Sequence, residues 1–197
     1  SGTTDIYYHS GNFNLSPNST WTIANGEKMI IFIDEDGGGN ADLIVEDTNN
    51  LEQIIEVEPG GFMAFIVKGN IVFEASVGST MAYDAAGHTI VHEEVPNIEG
   101  VFLADQNLII ADDGVDSYTA DNDLESRDKK FVGAGSFVGW QDVEIHRSFE
   151  DDNIGKELHQ WSPVASFKYR PDFTINFPIE ISTAQYEWRE AEPEKLD

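Results

Sequence analysis

The sequence predicts an all-β chain folded as a right-handed parallel β-helix, a solenoid in which the strands of each coil stack on those of the next. Apolar residues come in short runs rich in Ile, Val and Phe, and each run is followed by Gly, Asn or Asp. Such runs have the length of buried strands, and the residues between them favour turns. The chain shows no sustained helical periodicity, and the runs recur in aligned copies, which is typical of a repeat architecture.

Each copy consists of a strand, a short polar turn ending in Asn or Asp, and a second strand. The copies are residues 29–46, 63–74, 100–111 and 136–146. The first carries an insertion at residues 35–41, and the last is one residue shorter than its neighbours. We expect the turn Asn or Asp to supply a left-handed backbone conformation at each corner. Placed in register, the copies predict two stacks inside the column: Ile31, Phe65, Phe102 and Val138 in one, and Ile71, Leu108 and Val143 in the other.

An antiparallel β-sandwich or jelly roll is the alternative fold, because hairpins also produce short strands at regular spacing. The solenoid is favoured because the turn residue recurs at the same place in each copy. The strands are also nearly continuous apolar runs, which suits parallel pairing.

The domain organisation follows from the repeats. Residues 1–166 are predicted to form the solenoid, and residues 167–197 an extended C-terminal tail that packs on the solenoid or caps it. The tail contains Pro171, Pro178 and Pro193, which cannot donate ladder hydrogen bonds in a central strand.

Charge and composition exclude several classes of function. Eleven Lys and Arg residues stand against 37 Asp and Glu, for a net charge of −26. Such a surface repels phosphate backbones and anionic lipid, so we expect no nucleic acid partner, and it suits a salty, halophilic setting. The chain has no cysteine, which excludes disulfides, zinc–thiolate sites and a cysteine nucleophile. No apolar run reaches the length of about 18 residues that a membrane span needs.

The insertion predicts a calcium site. Asp34, Asp36, Asn40 and Asp42 place oxygen-bearing side chains at short intervals around three glycines, and Ca²⁺ collects six to eight oxygen ligands in this manner. Residues 37–45 also approximate the glycine-rich nonapeptide of calcium-binding β-rolls, although only one copy is present. The alternative interpretation is a flexible acidic turn on an acidic protein.

Catalytic motifs of the common hydrolase, P-loop and dinucleotide-binding classes are not found in the sequence. Polysaccharide hydrolases built on β-helices use clustered Asp residues with Gly-His and Arg-x-Lys motifs. Here Gly87-His88 precedes Asp112-Asp113, the reverse order, and Arg-x-Lys is missing. We therefore expect a protein that is not an enzyme. Trp140, at a predicted coil turn, and Trp161, in a predicted loop, are candidates for stacking on a sugar.

Several stretches resemble a family of uncharacterised secreted or surface-exposed β-helix domains of uncultivated bacteria of the candidate-phyla type. They are STWTIANGEKMIIFID (19–34), VEPGGFMAFIVKGNI (57–71), NIEGVFLAD (97–105), FVGAGSFVGW (131–140), FKYRPDFTINFP (167–178) and YEWREAEP (186–193). The resemblance implies a β-helix at the C-terminal end of a larger surface polypeptide and carries no established activity. The insertion at residues 35–41 and the strongly acidic balance depart from the family.

The functional expectation is a non-enzymatic structural or adhesive module of a cell-surface or secreted protein, outside the cell and stabilised by calcium. Its partner would be a cell-surface polysaccharide or another surface protein. The alternative is a carbohydrate-binding or polysaccharide-degrading β-helix module.

Overall fold

The structure, a computed structural model, describes residues 3–35, 37, 39–80, 95–112, 129–147 and 163–178. These residues form a β-solenoid with one short helix, α1 (Pro171–Ile175). Every ladder between the described strands is parallel, and the antiparallel contact between Ser79 and Lys130 is an isolated bridge. The predicted parallel β-helix is therefore confirmed, and the antiparallel sandwich is wrong.

The strands lie on three faces, which we call the front, second and third faces. The front face contains β1 (Thr4–Ser10), β4 (Lys28–Asp34), β7 (Phe62–Val67) and the C-terminal parts of β9 (Ile98–Ala104) and β11 (Phe131–Gly139). The second face contains β2 (Phe13–Leu15), β5 (Leu43–Val45), β8 (Ile71–Phe73), β10 (Asn107–Ile110) and β12 (Asp142–Ile145). The third face contains β3 (Trp21–Ile23), β6 (Ile55–Val57), the N-terminal parts of β9 and β11, and β13 (Ala165–Lys168).

Phenylalanine rings from the three faces meet inside the column. Phe102 of the front face lies 5.4 Å from Phe73 of the second face, and Phe73 lies 5.0 Å from Phe131 of the third face, between ring centroids. All three rings have 0 % exposure. Burying rings of this size removes a large apolar area from water, and this burial is the main force that closes the coil.

The alignment of residues 63–74 with residues 100–111 is confirmed, because Phe65 pairs with Phe102 and Ile71 pairs with Leu108. The second predicted stack is also in register, since Leu108 pairs with Val143. Val143 is nevertheless 42 % exposed, because β12 is the last described strand of its sheet.

The first predicted stack is wrong at one position. Ile31, Phe65 and Phe102 do stack, but the next residue in register is Phe137, not Val138. The rings of Phe102 and Phe137 are 5.2 Å apart and nearly parallel at 13°. Since side chains alternate between the two sides of a strand, a shift of one residue places Val138 on the outside of the column.

The corner between the front and second faces is held by a ladder of Asn and Asp side chains. One such residue lies at the start of the second-face strand in each coil: Asn12, Asp42, Asn70, Asn107 and Asp142. The side-chain oxygen of one level accepts a hydrogen bond from the backbone N–H of the next. The N–H groups of Asp42, Asn70 and Asn107 are bound in this way at 3.0, 2.6 and 3.1 Å.

An Asn or Asp recurs at this corner as predicted, but the expected reason, a left-handed backbone conformation, is wrong. Among the described non-glycine residues only Asn50 has a positive φ, so the corner Asn and Asp residues do not supply a left-handed backbone. Their side chains instead satisfy backbone donors that the bend removes from the regular strand pairing. Glycines adopt the positive φ values instead, such as Gly100 at 146° and Gly135 at 135°. These two glycines pair directly with each other at the bend inside β9 and β11.

The C-terminal segment contacts the solenoid in two ways. The predicted boundary after residue 166 falls inside β13, which pairs with β11, and the ring of Phe167 lies 5.2 Å from that of Phe137 at the end of the column. Phe173 of α1 is 4 % exposed and packs edge-to-face on Phe62 at 6.1 Å. In the part of the chain that the structure describes, no helix is long and apolar enough to cross a membrane.

Candidate functional site

A row of apolar side chains crosses the outer side of the front face. One member comes from each strand, in direct register from β1 to β11: Tyr8, Phe32, Ile66, Leu103 and Val138. We call this set the outer row. We call the register series Ile31, Phe65, Phe102 and Phe137 the inner stack. Four members of the outer row directly follow a residue of the inner stack in sequence, so alternation along the strand turns them away from the column.

The outer row is partly open to solvent along its whole length. Phe32, Ile66 and Leu103 are half-buried, and Val138 is 38 % exposed. At one end the ring of Tyr8 is 80 % exposed and stacks on Phe32, with centroids 5.1 Å apart and planes 12° from parallel. Contiguous apolar surface on the outside of a protein marks an interaction site more often than scattered apolar residues do.

A groove of about 540 Å³ runs over this row. Its rim lies at the C-terminal ends of strands β4, β7, β9 and β11. It consists of Asp34, the last residue of β4, and of Lys68, Asp105 and Trp140, which directly follow the other three strands. The indole of Trp140 is 81 % exposed. The groove therefore has an apolar floor, an aromatic ring at each end and a rim of two carboxylates and one ammonium group.

Two of the predicted calcium residues, Asp34 and Asp42, belong to this rim and to the corner ladder respectively. Asp34 is exposed at the groove, and its Oδ1 accepts a hydrogen bond from the N–H of Glu35 at 2.7 Å. Asp42 is half-buried, and its Oδ1 accepts the ladder hydrogen bond from Asn70. Asn40 is exposed, and Asp36 lies outside the described residues.

Glu35 is the one acidic side chain of the insertion that the structure describes. Its carboxylate lies against Gly39, in the space that a side chain at residue 39 would enter. Among the described residues no three His, Cys, Asp or Glu side chains are grouped closely enough to hold a metal ion. Calcium binding at the insertion stays a prediction, and Asp42 has a structural role that the sequence analysis did not assign to it.

A second cavity, of about 450 Å³, lies beside a cluster of charged groups at the third face. Arg170 donates two hydrogen bonds to Asp172, at 2.9 and 2.7 Å, and one to Glu99 at 2.6 Å. It also donates to the carbonyl of Val57. The hydrogen bonds from Arg170 lower the pKa of the Asp172 carboxyl below its usual value, and those with Asp172 raise the pKa of the guanidinium.

This cluster joins the C-terminal segment to the solenoid. Glu99 is 8 % exposed and also accepts a hydrogen bond from the N–H of Val57, while Arg170 lies over the ring of Phe173 at 4.5 Å. The charged groups are thus paired with one another and with the backbone. They hold the segment in place, as paired buried charges commonly do.

The sequence analysis identified one end of the groove and missed its floor. Trp140, predicted as a sugar-stacking residue, lies on the rim, whereas Trp161 is outside the described residues. The five residues of the outer row were not identified. The aligned copies carry a signal for four of them, because the residue after each member of the inner stack is apolar in every copy, whereas Tyr8 lies before the first copy.

Comparison with known proteins gives no relative. The chain matches no family model, no curated protein and no solved structure.

Proposed function

We propose that this chain is a non-enzymatic adhesive module of a cell-surface or secreted protein, and that it holds its ligand in the groove of the front face. The outer row carries this proposal: five apolar side chains in register, facing outward, with a largely exposed aromatic ring at each end of the groove. Binding sites combine an apolar lining with a few polar groups in this way.

A purely structural role explains the outer row less well. The inner stack and the corner ladder already hold the coils together, and an exposed row of large apolar groups increases the tendency to aggregate. The proposal includes an extracellular setting, which the resemblance of the sequence to surface-exposed β-helix domains implies. Calcium bound at the insertion would order the segment that joins the rim to the corner ladder.

A polysaccharide-degrading enzyme is the alternative, since Asp34 and Asp105 both border the groove. A glycosidase needs one carboxyl that keeps its proton at neutral pH, which requires shielding from water. Both of these side chains are exposed to solvent, with the ammonium group of Lys68 on the same rim. The arrangement suits hydrogen bonding to a ligand better than proton transfer.

The test is binding of the purified protein to immobilised neutral polysaccharides, acidic polysaccharides and extracellular proteins, with assays for released reducing sugar. The variant Leu103→Glu places a charge in the middle of the outer row and should abolish binding. The matched control is Tyr169→Ala, which removes a ring that is 75 % exposed and does not line the groove. Binding that survives Leu103→Glu for every ligand would contradict the groove as the site, and sugar release would contradict the non-enzymatic role.

A further inference from the structure

We propose that the groove binds a neutral polysaccharide chain that lies across the strands, parallel to the solenoid axis. Sugar rings stack on Tyr8 at one end and on Trp140 at the other. This inference rests on the proposed function of the groove and adds the chemical class and the direction of its ligand.

The direction and length follow from the strand register. Because the five members of the outer row are directly paired from strand to strand, the row runs perpendicular to the strands. Four strand spacings of about 4.8 Å give it a length of roughly 19 Å. One unit of an extended pyranose chain advances by close to one strand spacing, so the row accommodates about four units at the spacing of the sheet.

The chemistry of the groove matches the two sides of a sugar ring. A pyranose has a face of C–H groups, which packs on aromatic and aliphatic side chains, and hydroxyl groups around its edge. The outer row supplies the apolar floor, and the exposed rings of Tyr8 and Trp140 supply flat stacking surfaces. At the rim, the carboxylates of Asp34 and Asp105 accept hydrogen bonds from hydroxyl groups, and Lys68 donates them.

Two other polymers fit the groove less well. A peptide that binds a sheet gains its affinity from backbone hydrogen bonds at an edge strand, but β4, β7 and β9, which form the middle of the floor, are paired on both sides. The middle of the floor therefore offers a peptide no sheet edge. An acidic polysaccharide meets two carboxylates against one ammonium group at the rim, on a chain of net charge −26. Repulsion of this kind opposes both approach and binding.

The experiment is isothermal titration with cellohexaose, mannohexaose and xylohexaose, and with hexagalacturonate as the acidic probe. At least one neutral hexasaccharide should bind, and hexagalacturonate should not. For the neutral sugar that binds, the tetrasaccharide should bind almost as tightly as the hexasaccharide, and the disaccharide should be weaker by about tenfold, since it covers only part of the row.

Variants at the two ends of the groove test the stacking contacts. Trp140→Ala and Tyr8→Ala should each weaken binding of that neutral hexasaccharide by about tenfold, which corresponds to about 1.4 kcal/mol. Tyr169→Ala should leave its affinity unchanged. Because Tyr8 and Trp140 are exposed, the far-ultraviolet circular dichroism spectrum, which reports on the strands, should be the same for all three variants as for the wild type.

The outcomes separate this inference from the proposed function. The ligand class is overturned if no neutral hexasaccharide binds, or if the hexasaccharide that binds has the same affinity for Trp140→Ala and Tyr8→Ala as for the wild type. If hexagalacturonate or an extracellular protein binds instead and is lost in Leu103→Glu, the groove remains a binding site with a different ligand. If Leu103→Glu changes the binding of no ligand, the proposed function itself fails.

Discussion

The inner stack and the outer row come from the same strands and differ by one residue along the chain. Phe102 lies inside the column with 0 % exposure, while Leu103, the next residue, faces the groove. Both rows are apolar, but only the inner one is required to close the coil, since its rings meet those of the other two faces. The comparison teaches that closure of the coil accounts for the inner stack, and that the outer row needs a different explanation.

The largest expected effect is a difference in stability between two adjacent residues. Phe102→Ala should lower the free energy of unfolding by about 3–5 kcal/mol, because it leaves a cavity among stacked rings. Leu103→Ala should lower it by less than about 1 kcal/mol, because that side chain is already open to water. Urea denaturation of the two variants measures both values. An equally large loss for Leu103→Ala would show that the outer row belongs to a core.

The next test uses calcium to examine the insertion, which lies between the groove and the corner ladder. Asp34 faces the groove and Asp42 belongs to the ladder, so an ion at the insertion would connect them. At a concentration a hundredfold above its dissociation constant, Ca²⁺ should stabilise the folded chain by about 2.7 kcal/mol, measured as a rise in melting temperature. The double variant Asp34→Asn/Asp36→Asn should abolish the rise. The same rise in wild type and double variant would exclude this site.

The corner ladder should tolerate an amide but not an alanine. Asp42→Ala removes the acceptor of the Asn70 N–H and should cost about 1–2 kcal/mol of unfolding free energy. Asp42→Asn keeps a carbonyl oxygen at the same place, as at the levels above and below, and should cost little. Thermal or urea unfolding in the absence of calcium compares the two variants. Equal losses would show that the charge of Asp42, not its hydrogen bond, matters at this corner.

The smallest effect is the pH dependence of the contact between Asp172 and Arg170. Since Arg170 lowers the pKa of the Asp172 carboxyl in the folded protein, the pair stabilises the fold above the unfolded pKa of about 3.9. This stabilisation, about 0.5 kcal/mol for a partly exposed pair, is lost as the pH falls through the lower folded pKa. Wild type should exceed Asp172→Asn in unfolding free energy at pH 6, and the difference should vanish well below pH 4. A difference that persists at low pH would assign the effect to packing.

Much of the fold could be predicted because the repeated segments of this chain can be aligned with one another. The pairing of Phe65 with Phe102 and of Leu108 with Val143 follows from aligning similar segments, and parallel pairing in register places equivalent residues on one level. Val138 was misplaced because the last copy is one residue shorter, and the sequence does not show where the missing residue falls. Because side chains alternate between the two sides of a strand, this shift of one residue placed Val138 on the wrong side of the sheet.

The candidate site was harder to predict than the fold. The continuous apolar runs indicate parallel pairing, but they do not show which of their residues face outward, and the outer row was therefore missed. Trp140 was identified because an isolated Trp at a turn is conspicuous, whereas Ile66 and Leu103 resemble core residues in sequence. Asp42 was assigned to a metal because its ladder partner, Asn70, is distant in sequence and is brought close only by the stacking of coils.

The most direct test is a methyl NMR titration that observes both sides of the strands in one sample. The methyl groups of Ile66, Leu103 and Val138 report on the outer row, and those of Ile71 and Leu108, which are both 0 % exposed, report on the column. On addition of a neutral hexasaccharide, we expect shifts in the outer-row signals with the same midpoint and little change in the column. Shifts confined to other regions, such as the cavity beside Arg170, would contradict the assignment of the outer row as the ligand-binding surface.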